Sequence, residues 1–333
     1  MTVVLVTGGA GYIGSHACKA LAAGGYEPVV YDDLSNGYAA AVRWGELEIG
    51  DVRDKSRLAE VVKKYRPESV IHFAGLIEVG RSVREPDVFW DHNLNGVATV
   101  LQVMRGAGIR RIVFSSTAAC YGRPEAAPLH MLSEDLPTMP INPYGDSKLA
   151  AERLISASSR AYGLEGVCLR YFNAAGADPQ LEIGEAHQPE THLIPLAIEA
   201  SLGLGSPLTI FGGDFPTRDG TCLRDYIHVA DLARAHVLAL EVRLGLENFM
   251  AINIGTGRGA SVKEVVTAVG RATGRPTPYS MGPRREGDPA ALVANPRLAG
   301  TVLGWSPAYT DLDTIIEHAV AWRRSPKYGF GLP

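Results

Sequence analysis

The chain has 333 residues, of which 46% are hydrophobic and 20% charged, and its formal net charge is -4. This balance excludes the basic surface that binds nucleic acid, and no apolar run approaches the roughly 20 residues that cross a membrane. The N-terminus lacks a basic segment ahead of an apolar one, so we expect a cytoplasmic protein without a secretory signal. Four widely spaced cysteines without a Cys-x-x-Cys pair predict small buried residues, no disulfide framework and no metal site.

Short β-branched runs alternate with helical patterns through the first half of the chain. The predicted strands are Val3 to Thr7, Pro28 to Asp32, Leu47 to Gly50, Ser69 to Phe73, Arg111 to Ser115 and Gly166 to Arg170. The predicted helices lie near Gly11 to Ala23, Lys55 to Tyr65, Pro86 to Ala107 and Pro143 to Tyr162. This alternation is typical of βαβ units, and it predicts an α/β fold with a Rossmann-type doubly wound parallel sheet.

The pattern changes after Asn173, where a loop-like stretch over 178–190 is rich in proline, glycine and acidic residues. We expect a Rossmann-type domain over 1–172 and a smaller mixed α/β domain over 173–220 and 244–333. The segment 221–243 has the pattern of a buried strand and an amphipathic helix, which predicts that the chain returns to the first domain there.

A glycine-rich turn follows the first predicted strand. Gly8, Gly11 and Gly14 have the spacing Gly-x-x-Gly-x-x-Gly, with Tyr12 and Ile13 inside the turn. Glycines at these positions let a pyrophosphate approach the N–H groups at the start of the following helix. Glycines alone also suit an ordinary strand-to-helix turn, but a place between a strand and a helix favours dinucleotide binding.

Acidic and small residues end the next strands. Asp32 ends the second strand, where a carboxylate can accept hydrogen bonds from both adenosine ribose hydroxyls and repel a 2′-phosphate, so we expect NAD and not NADP. The alternative is that Asp32 only caps the loop 34–37. Asp51 and the segment Phe73-Ala74-Gly75 fall at the same carboxyl edge, as walls for the adenine and nicotinamide halves.

Tyr144 and Lys148 lie four residues apart on one face of a predicted helix. A free tyrosine titrates near about 10, and an adjacent ammonium and a nicotinamide cation both favour the phenolate, so the pair predicts a general base. Lys148 can also donate to the nicotinamide ribose. Thr117, at the end of the fifth strand, is the candidate for a hydrogen bond to a substrate hydroxyl. The alternative, a solvated Tyr/Lys face, is less consistent with the preceding glycine-rich turn.

The sequence resembles the extended short-chain dehydrogenase/reductase superfamily and, within it, the UDP-glucose 4-epimerases. The motifs that carry the resemblance are Thr7 to His16, Ile71 to Leu76, Asn142 to Leu149, Leu169 to Asn173, Asp219 to Val229 and Pro283 to Asp288. The resemblance implies reversible 4-epimerisation of UDP-glucose and UDP-galactose through a 4-keto sugar, with NAD as cofactor. It also implies a homodimer formed by the helices near 86–107 and 143–162.

The resemblance also assigns ligand contacts. It adds Asn36, Val52 and Phe172 to the cofactor contacts. Asn173 and His192 would contact the substrate, with Asn173 at the UDP diphosphate, and Thr209 to Phe211 would line the uracil. Arg224 and Arg285 match diphosphate-binding arginines, and Asp288 matches a uridine-ribose ligand. The alternative for each arginine is a surface ion pair.

Leu292 and two departures from the family pattern bear on the substrate. Leu292 stands beside the hexose where a bulky tyrosine restricts some relatives to unsubstituted sugars, so we expect activity on UDP-GlcNAc and UDP-GalNAc as well. Ile77 and His92 replace the lysine and asparagine of many relatives.

The alternatives to the predicted function are a 4-epimerase of a UDP-pentose or UDP-uronate, a 4,6-dehydratase, and an NAD-binding regulator without catalysis.

Overall fold

The computed structural model describes residues 1–123, 131–245, 248–285 and 288–331, so the predicted motif Pro283 to Asp288 is described except at 286–287. The strands are β1 (Val3–Thr7), β2 (Glu27–Asp32), β3 (Glu46–Ile49), β4 (Ser69–His72), β5 (Arg111–Thr117), β6 (Glu165–Tyr171), β7 (Asn173–Ala175), β8 (Leu208–Phe211), β9 (Leu223–His228), β10 (Phe249–Ile254), β11 (Gly259–Ser261), β12 (Tyr279–Gly282) and β13 (Ala291–Leu292).

The helices are α1 (Tyr12–Ala23), α2 (Lys55–Tyr65), α3 (Val79–Arg84), α4 (Pro86–Trp90), α5 (Gly96–Ala107), α6 (Pro143–Tyr162), α7 (Leu193–Leu202), α8 (Val229–Glu241), α9 (Val262–Thr273), α10 (Arg297–Leu303) and α11 (Leu312–Arg324). A π-helical turn, Asp91–Asn95, joins α4 to α5. Short 3₁₀ turns lie at Ala39–Ala41, Ala118–Tyr121 and Tyr328–Gly331. In the described part of the chain, no helix is both long enough and apolar enough to cross a membrane.

A seven-stranded parallel sheet has the order β10-β6-β5-β4-β1-β2-β3. Successive side chains of a strand point to opposite faces. Val4 and Val6 of β1 therefore belong to a core cluster with Leu21 of α1, while Leu5 belongs to a second cluster with Leu58 of α2. Two apolar faces require helices on both sides, and the doubly wound fold is confirmed.

The predicted helix from Pro86 to Ala107 is interrupted by the π-helical turn. Its central residue, Asn93, is buried, and its side-chain Oδ1 accepts the N–H of Leu76 at 2.8 Å while Nδ2 donates to the carbonyl of Leu76 at 3.1 Å and to Ser147 Oγ at 3.0 Å. A π turn is a frequent device for placing one side chain at a functional site. Hydrophobic periodicity alone could not reveal it.

A second region contains the four strands β7, β9, β11 and β13, the pair β8–β12, and a core in which α7, α9 and α11 pack together. Helix α8 returns to the large sheet and packs on α1, as expected. The preceding strand β9 does not return, because it pairs with β7, β11 and β13. Strand β10, which the predicted boundary at 244 assigns to the second region, instead pairs with β6 because it follows a helix packed on the large sheet. The two-domain division itself stays a prediction.

Candidate active site

The glycine-rich turn brings the start of α1 against the end of β4. Gly8 has a φ of +72°, and a Cβ there would lie 2.6 Å from the backbone nitrogen of Ala74. A Cβ on Gly14 would lie 2.2 Å from the carbonyl oxygen of Gly8. Gly11 is the N-cap residue of α1. The close packing leaves no room for side chains at Gly8 and Gly14, which is the geometry that admits a pyrophosphate at a helix N-terminus.

Asp32 lies beside this turn at the end of β2, and it is 7% exposed. Its carboxylate accepts the N–H of Ala10 and the N–H of Leu34, both at 2.9 Å. Burial raises the pKa of Asp32, and these two hydrogen bonds oppose that rise. Asp32 thus does cap the following loop, as the alternative proposed, but it also contacts the glycine-rich turn. Asn36 is exposed and lines a small cavity with Gly11 and Tyr12.

The other predicted adenine contacts lie along the same edge. Asp51 accepts the backbone N–H of Arg53 at 2.8 Å and pairs with its guanidinium, which lowers the pKa of Asp51. Val52 is buried in the core cluster that contains α2. Phe73 packs against His236, with ring centroids 4.6 Å apart. Arg53, whose guanidinium also reaches Asp91, had not been singled out from the sequence.

Lys148 is buried beside the ends of β4 and β5. Its Nζ donates to the carbonyl of Ser115 at 3.1 Å and lies 5.1 Å from the ring centroid of Phe114. A Cβ on Gly75 would lie 3.5 Å from Lys148 Nζ and 2.7 Å from Asn93 Oδ1. Burial lowers the pKa of Lys148 to about 8. The lysine, the end of β4 and Asn93 are therefore neighbours, as a site for the nicotinamide ribose requires.

Tyr144 is the second residue of α6, one turn before Lys148, and its phenol lies close to the Thr117 side chain. Burial raises the pKa of Tyr144, and the hydrogen bond from Thr117 opposes that rise. We had expected Lys148 to lower the pKa of Tyr144, but Lys148 is not among the groups that shift it. The ammonium is directed to the Ser115 carbonyl instead. In the cofactor-free protein, then, the hydroxyl of Thr117 is the group that favours the phenolate.

Phe172 and Leu292 share a small apolar cluster with Ala118, directly after Thr117 in the chain. Leu292 pairs with Arg224 in the register of β13 and β9, which places the predicted diphosphate-binding arginine one strand away. Asn173 begins β7 and pairs with Tyr226 of β9. Thr117 is therefore next in sequence to a cluster that contains part of the predicted substrate site.

The predicted uridine contacts form a second group. Arg224 donates to the carbonyl of Pro289 at 3.0 Å and pairs with Asp288 at 3.3 Å. The guanidinium carbon of Arg285 lies 4.1 Å from the ring centroid of Phe211, a cation–π contact. Thr209 and Phe211 lie on the same face of β8, since side chains two residues apart share a face. An aromatic ring with two arginines nearby suits a base linked to a diphosphate.

His192, at the N-cap of α7, contacts carboxylates. Its Nδ1 lies 2.9 Å from Glu185 Oε1 and 3.0 Å from Glu190 Oε1. Burial alone would lower the pKa of His192, but these two carboxylates raise it to about 10. The two glutamates were missed because 178–190 was interpreted only as a loop.

Buried polar partners beneath the strand ends were also missed. Ser115 Oγ hydrogen-bonds the Tyr171 hydroxyl, and Ser116 donates to Glu152. Glu152 is also paired with Arg170, with a distance of 2.6 Å between Oε2 and Nη2. Ser115 and Ser116 thus serve the structure beneath the crevice, while Thr117 contacts Tyr144. Helical periodicity could have suggested that Glu152 faces inward, but its charge favoured the opposite interpretation.

Comparison with known proteins places this site in a family. The model of the NAD dependent epimerase/dehydratase family matches residues 4–255. The chain belongs to that family. The UDP-glucose 4-epimerase of Rhizobium meliloti (strain 1021) is 51% identical over 98% of each chain.

Solved structures agree with this assignment. The UDP-glucose 4-epimerase from Brucella ovis in complex with NAD has a TM-score of 0.91 and 50% identity, covering 96% of this chain and 98% of that one. The UDP-glucose 4-epimerase from Bifidobacterium longum in complex with NAD+ and UDP has a TM-score of 0.92 and 36% identity, covering 99% of this chain and 100% of that one. The cofactor is NAD, as Asp32 predicted.

Lys148 provides a test of how NAD is held. Because burial lowers its pKa to about 8, the ammonium that we predict to donate to the ribose is lost as the pH rises through that value. The affinity of the cofactor-free protein for NAD should therefore fall between about pH 7 and about pH 9.5. Lys148→Met should bind NAD more weakly at the lower pH and show a flatter profile. Fluorescence titration across the pH range measures this, and an equally steep profile in the variant would contradict the assignment.

Proposed function

We propose that the protein catalyses the NAD-dependent, reversible 4-epimerisation of UDP-glucose and UDP-galactose. The observation that carries the proposal is that Tyr144 lies beside Thr117 and one helical turn from Lys148, which is buried against Ser115 and the end of β4. A 4-epimerase needs a base at the sugar C4 hydroxyl, a dinucleotide next to the sugar, and side chains that bind the UDP part of the substrate. This protein has a group of residues suited to each of these three requirements.

The chain's own residues would act in the following way. NAD, when bound, takes the C4 hydride and returns it, so that the sugar passes through a 4-keto form. Tyr144 accepts the proton of the C4 hydroxyl and gives it back, while Thr117 hydrogen-bonds its phenol. Arg224 and Arg285 hold the diphosphate, and Lys148 holds the ribose of the cofactor.

Inversion requires that the sugar turn between the two hydride transfers. Tight binding of UDP and loose binding of the hexose would allow the 4-keto sugar to present its opposite face. The predicted contacts have this imbalance, since Thr209, Phe211, Arg224, Arg285 and Asp288 are assigned to the nucleotide. Beside the hexose stand the apolar side chains of Phe172 and Leu292, which offer no hydrogen bonds.

Purified protein should convert UDP-galactose to UDP-glucose in a coupled assay or by chromatography of the products. Activity without added NAD would show that the cofactor is retained from cycle to cycle. Absence of conversion by folded, NAD-loaded protein would reject the proposal. Conversion of UDP-xylose or UDP-glucuronate in preference to the hexoses would support the pentose or uronate alternative.

The remaining alternatives require different residues. A 4,6-dehydratase needs an additional acid and base next to the strand-end threonine, whereas Thr117 is followed by Ala118 and Ala119. A non-catalytic regulator would not need the contact between Tyr144 and Thr117. Accumulation of a 4-keto-6-deoxy sugar would support the dehydratase instead.

Leu292 is proposed to set the size of the sugar that the site accepts. It lies with Phe172 in the cluster that follows Thr117, and a leucine occupies less space there than a tyrosine. The protein should therefore turn over UDP-GlcNAc as well as UDP-galactose. Leu292→Tyr should lower kcat/KM for UDP-GlcNAc by about tenfold or more, with a smaller effect on UDP-galactose.

Product analysis with both substrates measures this preference, and Leu303→Met provides a matched control remote from the crevice. Leu303 is buried in the core cluster around α10, so the exchange changes an apolar side chain without altering the site. Equal loss of activity on both substrates in Leu292→Tyr would contradict a role in sugar selection.

We further propose a cytoplasmic homodimer in which α5, α6 and the preceding α4 pack against their copies. Trp90, at the end of α4, is 39% exposed, and Val83 of the adjacent α3 is 63% exposed. Large apolar side chains exposed on adjacent helices are suited to an interface.

A further inference from the structure

Four potential metal ligands converge in the segment between β7 and α7, and only His192 among them is predicted to contact the substrate. Glu185, His187, Glu190 and His192 each offer one ligand atom, and these atoms all lie within 4.8 Å of one another. We call them the 185–192 cluster. We propose that this cluster binds one divalent transition-metal ion, such as Zn²⁺.

The separations of the donor atoms fit one ion. Donors about 2.1 Å from a central ion lie roughly 3.0 Å apart at a right angle and roughly 4.2 Å apart on opposite sides. Glu185 Oε1 lies 3.1 Å from His187 Nδ1 and 2.9 Å from His192 Nδ1. Glu190 Oε2 lies 4.0 Å from His187 Nδ1. The four atoms all lie within 4.8 Å of one another, so side-chain adjustments of less than about 1 Å suffice to surround an ion.

Glu190 supplies the independent observation that points to a ligand. Its side chain is 7% exposed. Its Oε2 is buried and has no hydrogen-bond partner among the described residues. The other oxygen, Oε1, accepts the N–H groups of Thr191 at 2.7 Å and His192 at 2.8 Å. A buried carboxylate oxygen without a partner is costly, and a cation supplies the missing interaction.

The charge and chemistry of the donors indicate the class of ion. Two buried carboxylates next to two imidazoles carry a negative charge that a divalent ion balances. Imidazole nitrogen is a ligand for Zn²⁺ and related transition metals, whereas Mg²⁺ and Ca²⁺ prefer oxygen donors. The backbone N–H groups that donate to Glu190 Oε1 would hold the carboxylate in a fixed orientation while Oε2 binds the ion.

The position of the 185–192 cluster links it to both halves of the proposed active site. The His187 ring lies edge-on to the Tyr12 ring, with centroids 6.3 Å apart, and Tyr12 begins α1 after the glycine-rich turn. His192 ends the cluster and begins α7. An ion would hold the loop against the cofactor turn and hold His192 in place for the substrate.

The test uses the full-length protein, stripped with a chelator and then titrated with Co²⁺ and Zn²⁺. We expect one Co²⁺ per chain with visible ligand-field absorption, and one Zn²⁺ per chain retained after dialysis. Glu190→Gln keeps the shape of the side chain and removes its charge, and it should weaken binding at least about tenfold, as should His187→Gln. Zn²⁺ should raise the thermal unfolding midpoint of the wild type more than that of either variant.

His318→Gln is the matched control, because His318 pairs with His228 outside the cluster and should leave the affinity unchanged. Absence of stoichiometric binding to wild-type protein at a Kd below about 100 µM would overturn the proposal. So would equal affinity in wild type and in whichever of the two cluster variants folds. These readouts are independent of epimerase activity, so failure of the proposed function would leave the metal test intact.

Discussion

Tyr144→Phe should reduce kcat for UDP-galactose by about 10²- to 10⁴-fold, the usual contribution of a positioned acid or base. The exchange removes one hydroxyl, the one that hydrogen-bonds Thr117. The fold should persist because α6 keeps its N-cap, in which Asn142 accepts the N–H of Gly145 at 2.9 Å. NAD content and the affinity for UDP should stay within a few fold of wild type, because neither depends on the phenol.

A neighbouring phenol provides the control for this variant. Tyr171 is hydrogen-bonded to Ser115 at the end of β6, and Tyr171→Phe removes a hydroxyl from the same region without touching the proposed base. We expect Tyr171→Phe to keep activity within about tenfold of wild type. If both variants lose activity equally, the effect is structural; if Tyr144→Phe stays active, the base is another group.

The raised pKa of Tyr144 gives this experiment a second readout. Burial raises that pKa in the cofactor-free protein, and Lys148 does not counter it. A positive nicotinamide near the phenol would lower it, since an opposite charge favours the phenolate. The tyrosine should therefore titrate at lower pH with NAD bound than without it, which ultraviolet difference spectra of wild type against Tyr144→Phe can measure.

Short-range patterns were sufficient for much of the fold. The alternation of strands and helices predicts the parallel sheet because its central strands are buried on both faces, as the opposite packing of Val4 and Leu5 shows. Gly14 could be identified because it packs on the nearby backbone of Gly8, whereas the approach of Gly8 to Ala74 depends on the pairing of distant strands. Tyr144 and Lys148 could be paired because one helical turn separates them.

Long-range polar contacts could not be predicted in this way. Glu152 looks like a surface residue until α6 packs on the sheet and brings it to Arg170. The π-helical turn at Asn93 depends on a contact with Leu76, which is distant in the sequence. The 185–192 cluster lies in a segment without periodicity, where the direction of each side chain follows from the path of the loop. In these cases tertiary packing, and not local sequence, determines the partner.

Arg170→Met should lower the free energy of unfolding by about 3–5 kcal/mol, the cost of leaving a buried charge without its partner. Arg170 is paired with Glu152, and their side chains are 8% and 3% exposed, respectively. Arg170 also donates to the Tyr121 hydroxyl at 3.1 Å. Urea unfolding followed by tryptophan fluorescence measures the loss. Arg271→Ala breaks the exposed pair with Asp313 and should cost no more than about 1 kcal/mol.

The double variant Arg170→Met, Glu152→Leu separates the cost of an unpaired buried charge from the net contribution of the ion pair to the free energy of unfolding. Two apolar side chains leave no unpaired charge, so the double variant should recover much of the lost stability. If Arg170→Met lowers the free energy of unfolding as little as Arg271→Ala does, water or a rearranged donor must hydrogen-bond the Glu152 carboxylate. Ser116 also donates to Glu152, and the double variant removes this acceptor, so its recovery of stability should be incomplete.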